Sequence, residues 1–553
     1  MLHLRIDTGR AGMPRATATV LMVFAAVTAG VTACTAAPPH DAQPQVPLAA
    51  QTRIPASATS VLAGPASVVA ADTAGSLFAS APVVVIADPS RPAELAIAAR
   101  SALREHAPLL LTSARADGSG PSGAAVTTAL ITAAAAGHAR SAAVAAGVRL
   151  LTRVKDLNPR AVLAVGVAGN VLAAQLPGIH VVTSPAMLPA TKTPAPLSHV
   201  ALLVPAGDHG AATVAAAATA KVAGVPVVAV RGDDPRADPA AITALSAAQP
   251  RQVLAIGAGF GPVSQLASRI AVAQTGVELP GGGQVMFPMR RLVALYGNPG
   301  TPALGVLGQQ DLQASIMRAR DVAAAYRSLS KVPVIPTFEI IATVASAFPG
   351  PDGQYSYQTP LATLRPWVQA ATAAGMYVIL DLQPGRANLL TQAREYQSLL
   401  KLPDVGLALD AEWKLQPGQL PLQQIGSVDA SEINEVISWL SYLTAKHHLP
   451  QKLLVLHQFR LSMIRDEQAV DTGNDEVTVL IHMDGQGTPG DKEQTWAAVI
   501  RAAPAGVHFG WKDFYVKDHP MLTPWQTFDR TPRLSMISYQ LSPGSTSPPA
   551  RSG

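Results

Sequence analysis

Between residues 409 and 413 the chain reads Leu409-Asp410-Ala411-Glu412-Trp413, placing two carboxylates two positions apart. On an extended strand, side chains at i and i+2 share a face, so two acids spaced this way can couple and one holds its proton more tightly than the other. A neutral acid beside an ionised carboxylate is what glycosidic cleavage requires. Two other readings fit the same residues: a ligand-orienting pair without turnover, or a structural ion pair with Lys512 or Arg460. Asp381 and Asp484 close other apolar runs and could serve as general base or as stabiliser of an oxocarbenium-like state. Asp484 is favoured, since His482 and Gly485 beside it suggest an exposed rim.

Further polar residues end apolar runs in the same half: Tyr296, Asn298, Glu339, Gln383, His457 or Gln458, His482, Lys512, Tyr539 and Gln540. Trp413, Trp511, Tyr515, Tyr296 and Tyr539 could stack on sugar rings. His457, His482, His508, Asp381 and Asp484 could converge on a metal, but the amidohydrolase pattern needs His-x-His on the first strand, which offers only Tyr296 and Asn298. There is no Gly-x-Ser-x-Gly elbow for a serine nucleophile. Neither a metal nor a cofactor is expected.

Eight strands must position these residues. Apolar runs begin near 291, 331, 376, 405, 452, 476, 506 and 532, with helical stretches between them such as 312–329, 361–374 and 431–447, the last behind the N-cap candidate Asp429. That count, over about 250 residues, predicts a (β/α)8 barrel across 285–540, whose active site belongs at the C-terminal rim. Parity agrees: Gly406, Ala408, Asp410 and Glu412 share one strand face while Leu407, Leu409 and Trp413 share the other. The Asp-x-Glu at strand four resembles that of barrel muramidases and, more loosely, the acid-rich strand four of barrel chitinases. The resemblance implies Glu412 as proton donor and Asp410 as its tuner or substrate orienter.

The preceding region, 76–280, is built differently. Short apolar runs (PVVVIAD at 82–88, APLLLT at 107–112, RAVLAVG at 160–166, HVALLVP at 199–205, VPVVAV at 225–230, RQVLAIG at 251–257) alternate with Ala-rich helical stretches, which predicts parallel sheets. Asn158-Pro159-Arg160 and its strand recur as Gln249-Pro250-Arg251 and its strand, 91 positions later, so two flavodoxin-like units are expected. The segments 107–112 and 160–169, and again 224–230 and 251–261, resemble the type 2 cell-wall-binding repeat, which implies non-covalent attachment to wall polymers; the paired glycine after Gly166 and a third copy are missing. Gly257-x-Gly259-x-Gly261 lacks the Gly-x-Gly-x-x-Gly spacing of a dinucleotide fingerprint and reads as a turn. Asp208-His209 and Asp233-Asp234 follow strands, where ligands sit in such sheets, though solvated helix N-caps are the preferred reading.

The N-terminus reads as an address. Arg5, Arg10 and Arg15 precede the uncharged stretch 16–30, which suits a signal-peptide core, and Val31-Thr32-Ala33-Cys34 resembles the bacterial lipobox. That resemblance implies removal of 1–33 and a lipid on Cys34, and hence a chain held on the extracytoplasmic face of the cell membrane. Residues 34–75 then read as a Pro/Ala-rich tether and 541–553 as a disordered tail. With 41 Lys and Arg against 36 Asp and Glu over 553 residues, and no basic run with interleaved aromatics, nucleic acid is not expected as a partner. One cysteine excludes a disulfide framework or a Cys-based zinc site. The expectation is a lipid-anchored protein acting on or binding cell-envelope polysaccharide. Its rivals are a non-catalytic polysaccharide-binding scaffold and a solute-binding lipoprotein, and the oligomeric state stays open.

Overall fold

The computed structural model describes residues 46–112 and 138–541. Cys34, the leader 1–33 and the tail beyond 541 lie outside the described residues.

The N-terminal half opens with β1 (Thr59–Leu62) and α1 (Ala66–Leu77), then β2 (Val83–Ala87), α2 (Pro92–Arg104), β3 (Leu109–Leu111), α3 (His138–Leu157), β4 (Ala161–Val165), α4 (Gly169–Gln175) and β5 (His180–Val182). It continues through β6 (Val200–Pro205), α5 (Ala211–Val222), β7 (Val227–Val230), α6 (Pro239–Ala248), β8 (Gln252–Ile256) and α7 (Val263–Gln274). Two four-stranded parallel sheets result, ordered β3-β2-β4-β5 and β7-β6-β8-β1. The second-first-third order is the doubly wound one. The two Pro-Arg strands, β4 and β8, hold the same place in their sheets, and each follows a left-handed residue, Asn158 at φ 48° and Gln249 at φ 41°. Helices α1 and α5 pack together, and residues of both sheets (Ile86, Val162, Leu202, Leu254) share one buried cluster. The many alanines of α5 leave short side chains where these helices meet.

The fourth strand of the second sheet comes from far upstream, and this corrects the expected tether. Val61 and Leu62 of β1 lie alongside Ala255 and Ile256 of β8, and α1 is buried through Val69, Ala70, Ala71, Ala74 and Leu77. The apolar run in β1 is too short to stand out among Pro, Ser and Thr neighbours.

The C-terminal half comprises β9 (Arg291–Gly297), α8 (Leu312–Arg327), β10 (Val334–Ala345), α9 (Leu361–Ala373), β11 (Tyr377–Leu382), α10 (Leu389–Glu395), β12 (Val405–Asp410), α11 (Ala430–Lys446), β13 (Lys452–Gln458), β14 (Val477–Met483), α12 (Pro489–Ala502), β15 (His508–Phe514), α13 (Pro524–Phe528) and β16 (Met536–Gln540). These eight strands pair in parallel and in chain order, and β9 pairs with both β10 and β16, which closes the barrel. Asp429 stands at the start of α11 but makes no cap; its carboxylate accepts from Arg465 at 2.5 and 2.8 Å.

Period-two alternation sorts the strand residues. Leu407, Leu409, Leu454, Leu456, Val479 and Ile481 face outward to Val436, Ile437 and Leu440 of α11 and the other helices. Leu292, Ile335, Tyr377, Ile379, Ala408, Leu453, Val455, Leu480 and Met536 fill the lower interior. Leu279, Met286 and Phe287 join that inner cluster, so the segment between the halves plugs the lower end of the barrel. The three consecutive glycines at 281–283, between the halves, form a tight structure: all have positive φ (88°, 91° and 75°), and buried Arg290 donates to the Gly282 carbonyl at 2.5 Å. The N-terminal half is also fastened by charge. Asp475, just before β14, takes Arg236 at 2.9 Å and Arg269 at 2.7 Å; burial opposes its ionisation, yet the two guanidiniums hold it below the usual carboxylate range.

Candidate active site

Inward parity, followed upward from the apolar plug, turns polar on every strand at one level: Tyr296, Glu339, Asp381, Asp410, His457, His482, Lys512 and Ser538, one from each of β9 to β16. All eight are buried. A buried charge is tolerated only when paired and hydrogen-bonded, so this layer must be a network. Gly510, two positions below Lys512, leaves the space that the His482 ring fills; a Cβ there would lie 2.2 Å from His482 Nδ1.

His457 is the centre of the network. Its Nε2 lies 3.1 Å from Glu339 Oε1 and 3.8 Å from Asp381, and its Nδ1 lies 3.1 Å from Asp484 Oδ2. Burial and neighbouring Lys512 work against the imidazolium, but Glu339 and Asp484 hold its pKa well above the ordinary histidine value. With a carboxylate on either nitrogen, both ring N–H groups donate. Burial would raise Glu339 and Asp484, yet His457 keeps both below their ordinary values and ionised. Lys512 Nζ stands 3.9 Å from Asp484 Oδ2 and 3.8 Å from the centre of the Tyr296 ring. The Tyr296 hydroxyl donates to Asp381 at 2.7 Å. His482 is the opposite case: burial first, then His457 and Lys512, push it well below the ordinary value, and its Nε2 pairs with Ser538 Oγ at 2.7 Å.

The Asp410 and Glu412 pair departs from its expected geometry. Strand β12 ends at Asp410, and Glu412 belongs to a following 3-10 turn, Ala411–Trp413. Asp410 Oδ1 accepts the Glu412 amide at 3.2 Å, and the Glu412 carbonyl accepts Gly426 N–H at 2.7 Å. A Cβ on Gly426 would lie 2.5 Å from the Glu412 carbonyl oxygen, so only glycine lets the loop fasten this turn. The tuning differs too. Burial, then Asp381, push Asp410 well above the usual carboxylate range, and Glu412 adds to the rise. Glu412 is pushed up to about 7 by burial and then by ionised Asp484, against the pull of Lys512, His457 and Arg460. Asp484 is the neighbouring charge that raises Glu412 most, and the Asp410 carboxylate holds the turn through the Glu412 amide. The ion-pair reading also falls away: among the described residues neither acid is paired with Lys512 or Arg460, and the carboxylate beside Lys512 is Asp484.

Asp410, Glu412, Asp484, Lys512, Tyr296 and Gln383 line a cavity of about 300 Å³ together with Trp413, Phe459, Phe514 and Lys517. The two acids with opposed shifts, Glu412 and Asp484, thus face one space. Asp484 Oδ1 has no hydrogen-bond partner among the described residues, while its Oδ2 is held by His457. Glu339, Asp381 and His482 lie beneath as support, and Gly485 beside Asp484 is buried rather than exposed. Gln383 Nε2 donates to Tyr296 at 3.3 Å.

Three expected residues serve elsewhere. Asn298 Nδ2 donates to the Ile341 carbonyl at 2.8 Å and ties down the rim. Tyr539 has outward parity, stacks on Tyr515 and shares a hydroxyl contact of 2.5 Å with Tyr326 of α8. Trp511 is buried on the outer side under Arg530. Phe459, Phe514 and Lys517 were not anticipated; inward parity of β15 would have found Phe514. In the N-terminal half, Asp208 closes on Gly210 N–H at 2.8 Å and on Thr213, and Asp234 holds Arg236, which are local structural duties. Among the described residues no cluster of His, Cys, Asp or Glu has metal-holding geometry, and no helix is long and apolar enough to cross a membrane.

No protein-family model matches the chain, and no curated protein is significantly similar to it. The resemblances to wall-binding repeats and barrel muramidases thus rest on the short motifs alone.

Proposed function

We propose that the barrel is a glycoside hydrolase in which Glu412 is the general acid and Asp484 the ionised partner. The observation that carries this reading is that Glu412 and Asp484 line one cavity in opposed surroundings: burial and Asp484 push Glu412 up to about 7, while the His457 ring 3.1 Å away holds Asp484 below its ordinary value. Environments that drive two carboxyls apart assign acid and base. Glu412 delivers its proton to the glycosidic oxygen as the bond breaks. Asp484, a residue of the cavity wall whose Oδ2 is fixed on His457 and whose Oδ1 has no hydrogen-bond partner among the described residues, stabilises the positive charge that develops on the sugar ring or takes the proton of the attacking water. Asp410 and Gly426 fix the Glu412 turn, and Glu339 with His457 keeps Asp484 ionised. Trp413, Phe459 and Phe514 offer apolar faces for sugar rings.

In this proposal the chain is anchored to the cell membrane by a lipid on Cys34 and its substrate is an envelope polysaccharide, with the N-terminal sheets as spacer or polymer-binding module. The test is release of reducing ends from purified wall polysaccharides by the full chain, beside Glu412→Gln. Turnover by the wild type that collapses in the variant, with binding retained, is expected. Binding by both proteins without turnover by either would favour the rival, a polysaccharide-binding scaffold. Cys34→Ala is expected to move the chain to the aqueous phase of a detergent partition; a variant still in the detergent phase would overturn the anchor.

A further inference from the structure

A second cavity, of about 340 Å³, adjoins the first and is walled by Glu412, Trp413, Leu415, Leu422, Gln424 and Arg460 among others. Glu412 and Trp413 line both cavities and so stand at the partition between them. Each volume lies at the low end of the ~300–1,000 Å³ of small-ligand sites, enough for a sugar unit. An acid at the boundary between two such spaces sits where the bond joining two units would lie. The outer cavity carries one cation, Arg460, exposed and without an ion-pair partner among the described residues. Lys512, in the inner cavity, is already committed to Asp484.

We propose that this outer cavity is a subsite for a carboxylate-bearing sugar unit, held by Arg460, so that the substrate is an acidic glycan cleaved between the units on either side of Glu412. The proposal rests on the glycosidase reading and names its substrate class. A guanidinium matches a carboxylate with two parallel N–H donors, and the side-chain amide of Gln424 suits sugar hydroxyls. A bound carboxylate near Glu412 would also disfavour its ionisation and keep the acid charged with its proton.

The experiment compares cleavage by the full chain of three probes of matched length: a neutral chain of N-acetylglucosamine, an alternating chain in which every second amino sugar carries a lactyl ether, and an oligogalacturonate. The wild type is expected to prefer one or both acidic chains over the neutral one by about tenfold in kcat/KM, the low end of what a charge-assisted hydrogen bond contributes. The two acidic probes tell a lactyl carboxylate from a uronate. Arg460→Gln is expected to abolish that preference, and Lys517→Gln, which removes the same charge from the mouth of the inner cavity, to retain most of it. Equal loss in both variants would mean a general charge effect and overturn the subsite, as would equal cleavage of all three probes by the wild type. Failure to cleave any probe would overturn the hydrolase reading alone. The acidic preference is then read from calorimetric binding of the same three chains, where equal affinities for wild type and Arg460→Gln would overturn it.

Discussion

The two halves of the molecule are written in the same alphabet of parallel strand and helix, yet their strands end differently. In the N-terminal sheets the carboxyl ends are Ala87, Val165, Pro205, Val230 and Ile256, and the loops beyond them carry glycines and self-satisfied aspartates. In the barrel the inward residues of the polar layer near those ends include Tyr296, Glu339, Asp381, Asp410, His457, His482 and Lys512, all buried. Parallel pairing sets the place where a ligand can bind in both cases. Only closure makes eight strand ends converge, so one polar residue per strand becomes a network instead of eight separate caps. A shared buried network thus requires convergence as well as strand-end position.

The largest effect that would break this contrast is on turnover. Glu412→Gln keeps shape but cannot deliver a proton, and general acid catalysis is worth about 10²–10⁴-fold, roughly 3 to 5 kcal/mol of barrier. Turnover is expected to fall by that factor, while Asp208→Asn in the N-terminal half leaves kcat unchanged. In the wild type the rate should decline above about pH 7, where Glu412 loses its proton, and on the acid side only below the ordinary carboxylate range, where Asp484 gains one. Loss of turnover in Asp208→Asn with Glu412→Gln unaffected would place the chemistry in the other half.

Next in size is the network itself. His457→Gln strips the cation from between Glu339 and Asp484, and removing one partner of a buried ion pair costs about 3 to 5 kcal/mol. The sign of the pH dependence follows from the shifts. The folded pKa of His457 lies above the ordinary 6.5, so its contribution is complete below that value and is lost as the pH rises through the raised one. Glu339 and Asp484 are depressed, so theirs is complete above the ordinary carboxylate value and is lost as the pH falls through the depressed one. Wild-type stability should therefore have a plateau between the ordinary carboxylate values and the ordinary histidine value of 6.5, and denaturant unfolding of His457→Gln should show that plateau lowered and flattened. The acid limb of the pH–rate profile should also move upward, since Asp484 is no longer held ionised. A destabilised variant with an unmoved limb would reduce His457 to a structural role.

The barrel was legible in the sequence because period-two alternation and polar strand ends reinforce one another over eight repeats. What stayed hidden follows from contacts that spacing cannot carry. Strand parity put Glu412 on β12, but the Asp410 carboxylate captures the amide two residues on and turns the chain, the local competition through which Asp residues end regular structure. Tyr539 looked like a rim residue because the small Ser538, which holds the inward position, gives no signal of its own. His457 was visible as a polar strand end, whereas its central place depends on Glu339 and Asp484 from separate strands. Strand β1 completes a sheet whose other strands begin well over a hundred residues later, and no local pattern announces such a partner.

A smaller effect tests where one half stops. Leu279 precedes the glycine turn yet is buried with Met286, Phe287 and the lower barrel interior. Leu279→Ala is expected to cost about 2 to 5 kcal/mol. A barrel fragment beginning at residue 276 should accordingly be more stable to urea than one beginning at 285, which lacks the plug's first residue. Equal midpoints for the two fragments would return the boundary to the glycines.

The smallest effect lies between the N-terminal sheets. Thr219 of α5 is fully buried, and its hydroxyl oxygen accepts the Leu109 amide of the edge strand β3 at 3.0 Å. An edge strand whose outward amide is covered by a helix has no water to turn to, so the threonine supplies the partner that a neighbouring strand would have given. Thr219→Val keeps the volume and removes the hydroxyl, which accepts the Leu109 amide and donates to the Leu109 carbonyl at 3.4 Å. The orphaned amide should cost about 1 to 3 kcal/mol, read as a lower urea midpoint, and the Leu109 amide should lose hydrogen-exchange protection before its neighbours in β2. Because α5 touches neither Glu412 nor the His457 network, kcat is expected to stay at the wild-type value. A fall in kcat at full occupancy of the folded state would mean that the N-terminal sheets are coupled to the barrel rim, and the contrast between the two halves would have to be redrawn.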